Sequence, residues 1–216
     1  MENILGFLKQ LSENNHREWM QTHKPWYMEI KEEFTSLTEK LLTEIIKFDE
    51  SIKGLTAKDC MFRINRDIRF SNNKAPYKTN MSAVIMKGGR KSPFPCYYLH
   101  IEPGHCKTAG GIYLPAPEPL KKIREEIDYN AAPLVEITKS ETFKSKFNGL
   151  SGGRLKTAPK GYPRDHPDIE WLRLKSFIVS RSLSDREVCH KDFVKSAIDD
   201  FQAMYPLHQY LTVAIS

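Results

Sequence analysis

The chain has 216 residues, 40% hydrophobic and 28% charged, which is the composition of a globular protein long enough to bury a core without disulfides or metals. No apolar run approaches the length of a membrane span and the N-terminus lacks the pattern of a secretory signal, so a membrane partner is excluded and a cytoplasmic location is expected. The formal net charge is +6, yet residues 60–91 alone hold eight Lys or Arg against one acid, Asp67, a local +7 that leaves the rest of the chain at −1.

The chain opens helical. Ile4, Leu5, Leu8 and Leu11 form an apolar stripe that ends at Asn14-Asn15, and Asn15 with Glu18 predicts the cap of a second short helix. Pro25 sits near the start of a long helix whose buried face is Trp26, Ile30, Phe34, Leu37, Leu41 and Ile45. Gly54 breaks it.

The middle predicts strands at Met61–Ile64, Met81–Met86 and Cys96–Glu102, with His105–Leu114 returning antiparallel across the Pro103-Gly104 turn. Gly110 and Gly111 predict a bulge or a close approach of another group. Helix returns at Pro119, in the stretch 131–147, and at Pro167, where Asp165 is the expected cap. The stretch 149–163 is loop-like. Ser176–Ser180 predicts a strand, Ser184 and Glu187 a capping box, and Val194 to Tyr205 a last helix stopped by Pro206. No repeat or long linker divides the chain, so residues 1–216 are expected to form a single domain with a helical part (1–58), a strand-rich part (59–115) and a mostly helical part (116–216). The class is α+β: a central antiparallel sheet with helices from both ends of the chain packed on it.

Two constellations bear on function. The first is the basic block. Guanidinium forks suit carboxylate or phosphate because they donate parallel hydrogen bonds. Arg63, Arg66, Arg69, Ser71, Lys74, Tyr77 and Lys78 are the anion-binding candidates, joined by Lys160 from the Pro-Lys-Gly-Tyr loop. An Asp67-centred structural ion-pair cluster is the plainer reading, but one acid cannot neutralise so many neighbouring cations. The second lies on the Cys96–Glu102 strand, where period-two alternation puts Cys96, Tyr98, His100 and Glu102 on one face and Tyr97, Leu99 and Ile101 on the other. His100 and Glu102 then stand side by side, a candidate proton-transfer (catalytic) pair; an ordinary wet sheet face gives the same alternation. The four cysteines form no CxxC pair, and Cys96, His100 and Cys106 match no standard zinc spacing, so no metal site is assigned and the cofactor is unknown. There is no GxSxG elbow, P-loop or GxGxxG.

The run Arg66 to Lys78 resembles the R-D-x-R-F-S-x-x-K-x-P-Y-K signature of a conserved bacterial and fungal family of unknown function. Gly110-Gly111-Ile112-Tyr113-Leu114-Pro115 and Pro159-Lys160-Gly161-Tyr162 followed by Asp165-His166-Pro167 are similar to further stretches of that family. Asn73 departs from the pattern, standing where many relatives carry an acid. The resemblance covers nearly the whole chain and implies no activity and no catalytic residues. The expected partner is a small anionic ligand, phosphorylated or carboxylated, held in a basic cleft by a protein that is an enzyme if His100 and Glu102 move a proton. The alternative is a nucleic-acid-binding module using the same cations, with Tyr77 or Tyr98 stacking on bases.

Overall fold

A computed structural model describes residues 1–216. Helix α1 (Glu2–Glu13) buries Ile4, Leu5, Phe7, Leu8 and Leu11 along one face. Helix α2 (Arg17–Thr22) starts at His16, whose Nδ1 accepts from the Trp19 amide at 3.3 Å. The capping residue is thus His16 and not Asn15, because Asn15 is engaged elsewhere, on the basic block. Helix α3 (Lys24–Ile45) carries Pro25 in its first turn and buries Ile30, Phe34, Leu37, Leu41 and Ile45. A 3₁₀ turn (Glu50–Ile52) and the short α4 (Ala57–Cys60), closed by a Thr56–Asp59 capping box, lead into the strands.

The sheet is β1 (Met81–Met86), β2 (Cys96–Ile101), β3 (Cys106–Ile112) and β4 (Phe177–Leu183), antiparallel throughout and ordered β1-β2-β3-β4. The expected strand at Met61–Ile64 is reduced to a single bridge, Met61 to Ala83. After Phe62 the chain leaves β1 and directs its hydrogen bonds to its own return segment: Lys78 N donates to the Ile64 carbonyl at 2.8 Å and Arg66 N to the Pro76 carbonyl at 2.9 Å. Between β3 and β4 run α5 (Pro117–Asn130), α6 (Ala132–Lys139), α7 (Glu141–Lys146) and α8 (Ile169–Leu172), the last flanked by Asp168 where Asp165 was expected. Helix α9 (Asp185–Cys189) has the expected Ser184–Glu187 box, and α10 (Phe193–Ile215) closes the chain.

Pro206 does not stop α10. It lies on the exposed face, as does Gln202, the residue whose carbonyl loses its helical donor, so water can solvate the freed oxygen. The buried face continues past it through Leu207, His208, Tyr210, Leu211 and Ala214, and that burial carries the helix on.

The two faces of the sheet differ in what covers them. Tyr97, Leu99, Ile101, Phe177 and Val179 face inward and join one core cluster with residues from α1, α3, α5 and α10. Helix α10 crosses β3, and Gly110 permits the crossing: a Cβ there would stand 2.6 Å from Met204 Sδ and 2.8 Å from the Cys96 carbonyl oxygen. On the same face Asp200 of α10 is fully buried and accepts from Thr108 Oγ1 (2.8 Å) and Arg181 Nε (2.7 Å), with Lys146 Nζ at 3.2 Å. These contacts tie α10 and α7 to β3 and β4. The fold is α+β, with helices from both ends of the chain on the sheet. No helix is long and apolar enough to cross a membrane.

Candidate functional site

The outer face of the sheet is the floor of a cleft of about 750 Å³. The register explains why space exists there. Val84 and Met86 on β1 pair with Tyr98 and Cys96 on β2. Across from those stand Ala109 and Gly111 on β3, then Ser180 and Ile178 on β4. Small side chains in the middle of the floor leave a hollow that larger ones would fill. The 113–119 segment, with Tyr113 and Leu114 exposed, and the loop carrying Phe94 form the walls. Arg90, Lys91 and Lys107 contribute the cations. A cleft of this size, apolar in its body with few charged groups at its rim, suits a small organic ligand.

At one end stands Phe62, 41% exposed, with Lys78 Nζ 5.1 Å and the Arg90 guanidinium carbon 5.8 Å from its ring centroid. Arg90 is anchored by Nη1 donating to the Met61 carbonyl at 2.6 Å. Burial, then the charges of Arg63 and Arg90, hold the Lys78 ammonium below its ordinary pKa. Lys78 and Arg90 thus share the Phe62 ring, Arg63 is near enough for its charge to act on Lys78 and also on Asp67, and none of the three makes an ion pair with a carboxylate. Asp59, which feels the charge of Arg90, is committed to the α4 capping box, its Oδ2 accepting from Thr56.

The remaining members of the basic block are engaged within the loop itself. Arg69 makes a two-pronged ion pair with Asp67, Nε to Oδ1 at 2.9 Å and Nη2 to Oδ2 at 2.6 Å, both residues at the surface. Arg66 donates to the Ala75 carbonyl at 3.3 Å and to Ser71 Oγ at 3.4 Å, and Lys74 to the Ile68 carbonyl at 3.1 Å. Tyr77 is clamped through its backbone: its N–H donates to Asn15 Oδ1 (3.1 Å) and its carbonyl accepts from Asn15 Nδ2 (3.0 Å). Lys160 lies apart, in a shallow pocket with Arg124, Asp128 and Tyr162. Of the eight anion-binding candidates the structure brings Arg63 and Lys78 together, and it adds Arg90.

His100 and Glu102 do stand side by side. His100 Nε2 lies 3.1 Å from Glu102 Oε2, and His100 Nδ1 lies 3.0 Å from the Tyr98 hydroxyl. Thr79 donates to Glu102 Oε1 at 2.6 Å. Burial pushes the Glu102 carboxyl up, but hydrogen bonds from Thr79 and His100 outweigh it and leave the pKa lowered. Burial lowers His100, against the pull of Glu102, and raises Tyr98. Tyr98 is the member that enters the cleft.

Sequence reading placed Tyr98 on the face of His100 but gave it only a base-stacking role, and it left Arg90 out of the site. Tyr98 carried a visible signal, the same-face spacing with His100. Arg90 carried none beyond its charge, because its anchor is a carbonyl 29 residues away.

Comparison with known proteins gives one match: no curated protein and no solved structure matches the chain, whereas a family model described as conserved hypothetical protein (DUF2461) matches residues 3–210. The match spans every strand, α1 almost entirely, and all but the last turn of α10. The chain therefore belongs to the DUF2461 family.

Proposed function

We propose that the protein binds a small organic anion, phosphorylated or carboxylated, with its head on Arg63, Lys78 and Arg90 and its apolar body along the sheet-face cleft. The observation that carries this reading is the meeting of Lys78 and Arg90 on the Phe62 ring with Arg63 acting on Lys78, none of the three in an ion pair with a carboxylate. Like charges held together raise the free energy of the unliganded protein, and an anion relieves that repulsion. The cleft beginning at Phe62 and Arg90 supplies an apolar wall for the rest of the ligand.

Phe70, 96% exposed beside Arg69, supports the second reading, a single-stranded nucleic acid stacked on the loop. The small ligand is favoured because Asp67 neutralises Arg69, and Arg66 and Lys74 aim their donors at the loop's own Ala75 and Ile68 carbonyls and not outward at a phosphate backbone.

Calorimetric titration separates the two. Octyl phosphate is expected to bind and octyl glucoside not. Arg90→Ala or Lys78→Ala is expected to weaken octyl phosphate by about tenfold each, the equivalent of one lost charge-assisted bond. Equal binding of the glucoside, or no effect of either substitution, would overturn the reading. Binding of oligo(dT) that falls steeply with salt and is lost in Phe70→Ala would replace it with the nucleic-acid one.

A further inference from the structure

We propose that Tyr98 is the nucleophile of a Tyr98–His100–Glu102 triad that takes the acyl group from a carboxylic ester of the organic anion bound in the cleft. This rests on the cleft being the ligand site, as argued above.

The direction of the hydrogen bonds carries the inference. Glu102 is an ionised acceptor, already receiving Thr79 at its other oxygen, so the imidazole nitrogen facing it, Nε2, must bear the hydrogen. In the neutral ring Nδ1 then has a free lone pair, and Nδ1 is the atom 3.0 Å from the Tyr98 hydroxyl. Tyr98 therefore donates its proton toward His100. Nucleophile, base and the group that orients the base stand in one line at hydrogen-bond distance, which is the arrangement that activates a weak nucleophile. The strand imposes it: positions 98, 100 and 102 share a face.

The surroundings agree. Burial raises the Tyr98 phenol, so it does not ionise unaided near neutral pH, while burial keeps His100 unprotonated and able to accept. Ser82 on β1 and Lys107 on β3 pair with His100 from either side. Lys107 lines the cleft with Tyr98 and is the cation available there to a developing oxyanion.

In the step, a bond forms between the Tyr98 oxygen and the ester carbonyl carbon, and the carbonyl carbon–oxygen bond to the leaving alcohol breaks. The phenol proton passes to His100 Nδ1 and from there to the departing oxygen. Water, deprotonated by the same nitrogen, then cleaves the acyl-tyrosine and restores Tyr98. Glu102 is the positioning residue: it fixes the tautomer and stabilises the transient imidazolium.

Exposure to 4-nitrophenyl acetate, followed by peptide mass spectrometry, tests this. Tyr98 is expected to be acetylated ahead of the other eight of the nine tyrosines. Octyl phosphate should slow that acetylation, and His100→Gln should slow it by about a hundredfold, the contribution of a positioned general base. Glu102→Gln should slow it less and shift the imidazole 15N signals away from the Nε2–H tautomer, which a merely structural role would not do; it also carries the test if His100→Gln does not fold. Acetylation of Tyr98 no faster than at other tyrosines, or equally fast in a folded His100→Gln or Glu102→Gln protein, would overturn the proposal. The anion reading is judged separately. Octyl phosphate bound without selective acetylation removes the triad and leaves the cleft; selective acetylation without octyl phosphate binding does the reverse.

Discussion

His208 is fully enclosed in α10, 4.3 Å from the ring of Tyr97, and neither of its ring nitrogens has a hydrogen-bond partner. Burial pushes its pKa down to about 3 from an ordinary 6.5, opposed only by the Asp49 carboxylate, which accepts from Tyr97. The sign of the consequence is fixed. Above 6.5 neither folded nor unfolded chain protonates it, so its full contribution to stability is present. As pH falls from 6.5 toward 3 the unfolded chain binds a proton that the folded one refuses, and stability declines. Urea unfolding across that range is expected to show this decline, and His208→Leu is expected to flatten it. Removing two unpaired nitrogens should leave stability at neutral pH unchanged or higher. An undiminished decline in His208→Leu would mean that other groups cause it. Asn15 is the complementary case. Its amide satisfies both backbone groups of Tyr77, 62 residues away. Asn15→Ala is expected to cost about 1–3 kcal/mol, the usual penalty for stranding such groups, and to speed amide exchange in the 65–78 loop.

At the scale of elements, legibility followed the length of the periodic signal. The face assignment of β2 rests on six residues of strict alternation, and every odd position there is buried. The stripe of α3 is equally plain. Short signals failed where tertiary contacts outbid them. Met61–Ile64 has the alternation of a strand, but after Phe62, whose N–H reaches the Ser82 carbonyl on β1, the hydrogen bonds go to the Pro76–Lys78 return. Asn15 has the chemistry of a cap, but its amide is taken by Tyr77. Pro206 carries the strongest local stop in the chain, and burial of the following turns overrode it. That override has a measurable residue. Pro206→Ala restores a donor for the Gln202 carbonyl and removes a ring clash on an exposed face, leaving the buried face of α10 as it is. It is expected to stabilise the protein by about 1–3 kcal/mol, less than the full cost of an interior proline because water already solvates the carbonyl. Chemical denaturation measures it, and a destabilised variant would show that the proline ring's restriction of the unfolded chain outweighs the regained hydrogen bond.

For the whole molecule, the sequence made the concentration of charge legible but not its sorting. Arg66, Arg69 and Lys74 are indistinguishable in one dimension from Arg63, Lys78 and Arg90. Only the path of the loop directs the first three to Asp67 and to its own carbonyls, brings Lys78 and Arg90 onto Phe62 and leaves Arg63 within reach of Lys78. The same long-range closure bears on domain organisation, for which we propose a single cooperative unit. The core cluster runs from Ile4 to Ala214 and draws on all three parts of the chain. The helical N-terminal part meets the rest in several ways: α3 packs beside α10 and β1, Phe48 packs on Tyr97 and Tyr205, Asp49 accepts from Tyr97, and Asn15 holds the basic loop. Trp19 and Trp26 sit against Phe7 in that part, with ring centroids 5.4 and 5.1 Å away, so their fluorescence reports on it alone, aside from Trp171. Far-ultraviolet circular dichroism reports on all the helices. If the shared core couples the parts, fluorescence of a Trp171→Phe protein and dichroism should give one coincident urea transition. An earlier fluorescence midpoint would show that residues 1–58 unfold separately and that α3 contributes less to the core than its burial implies.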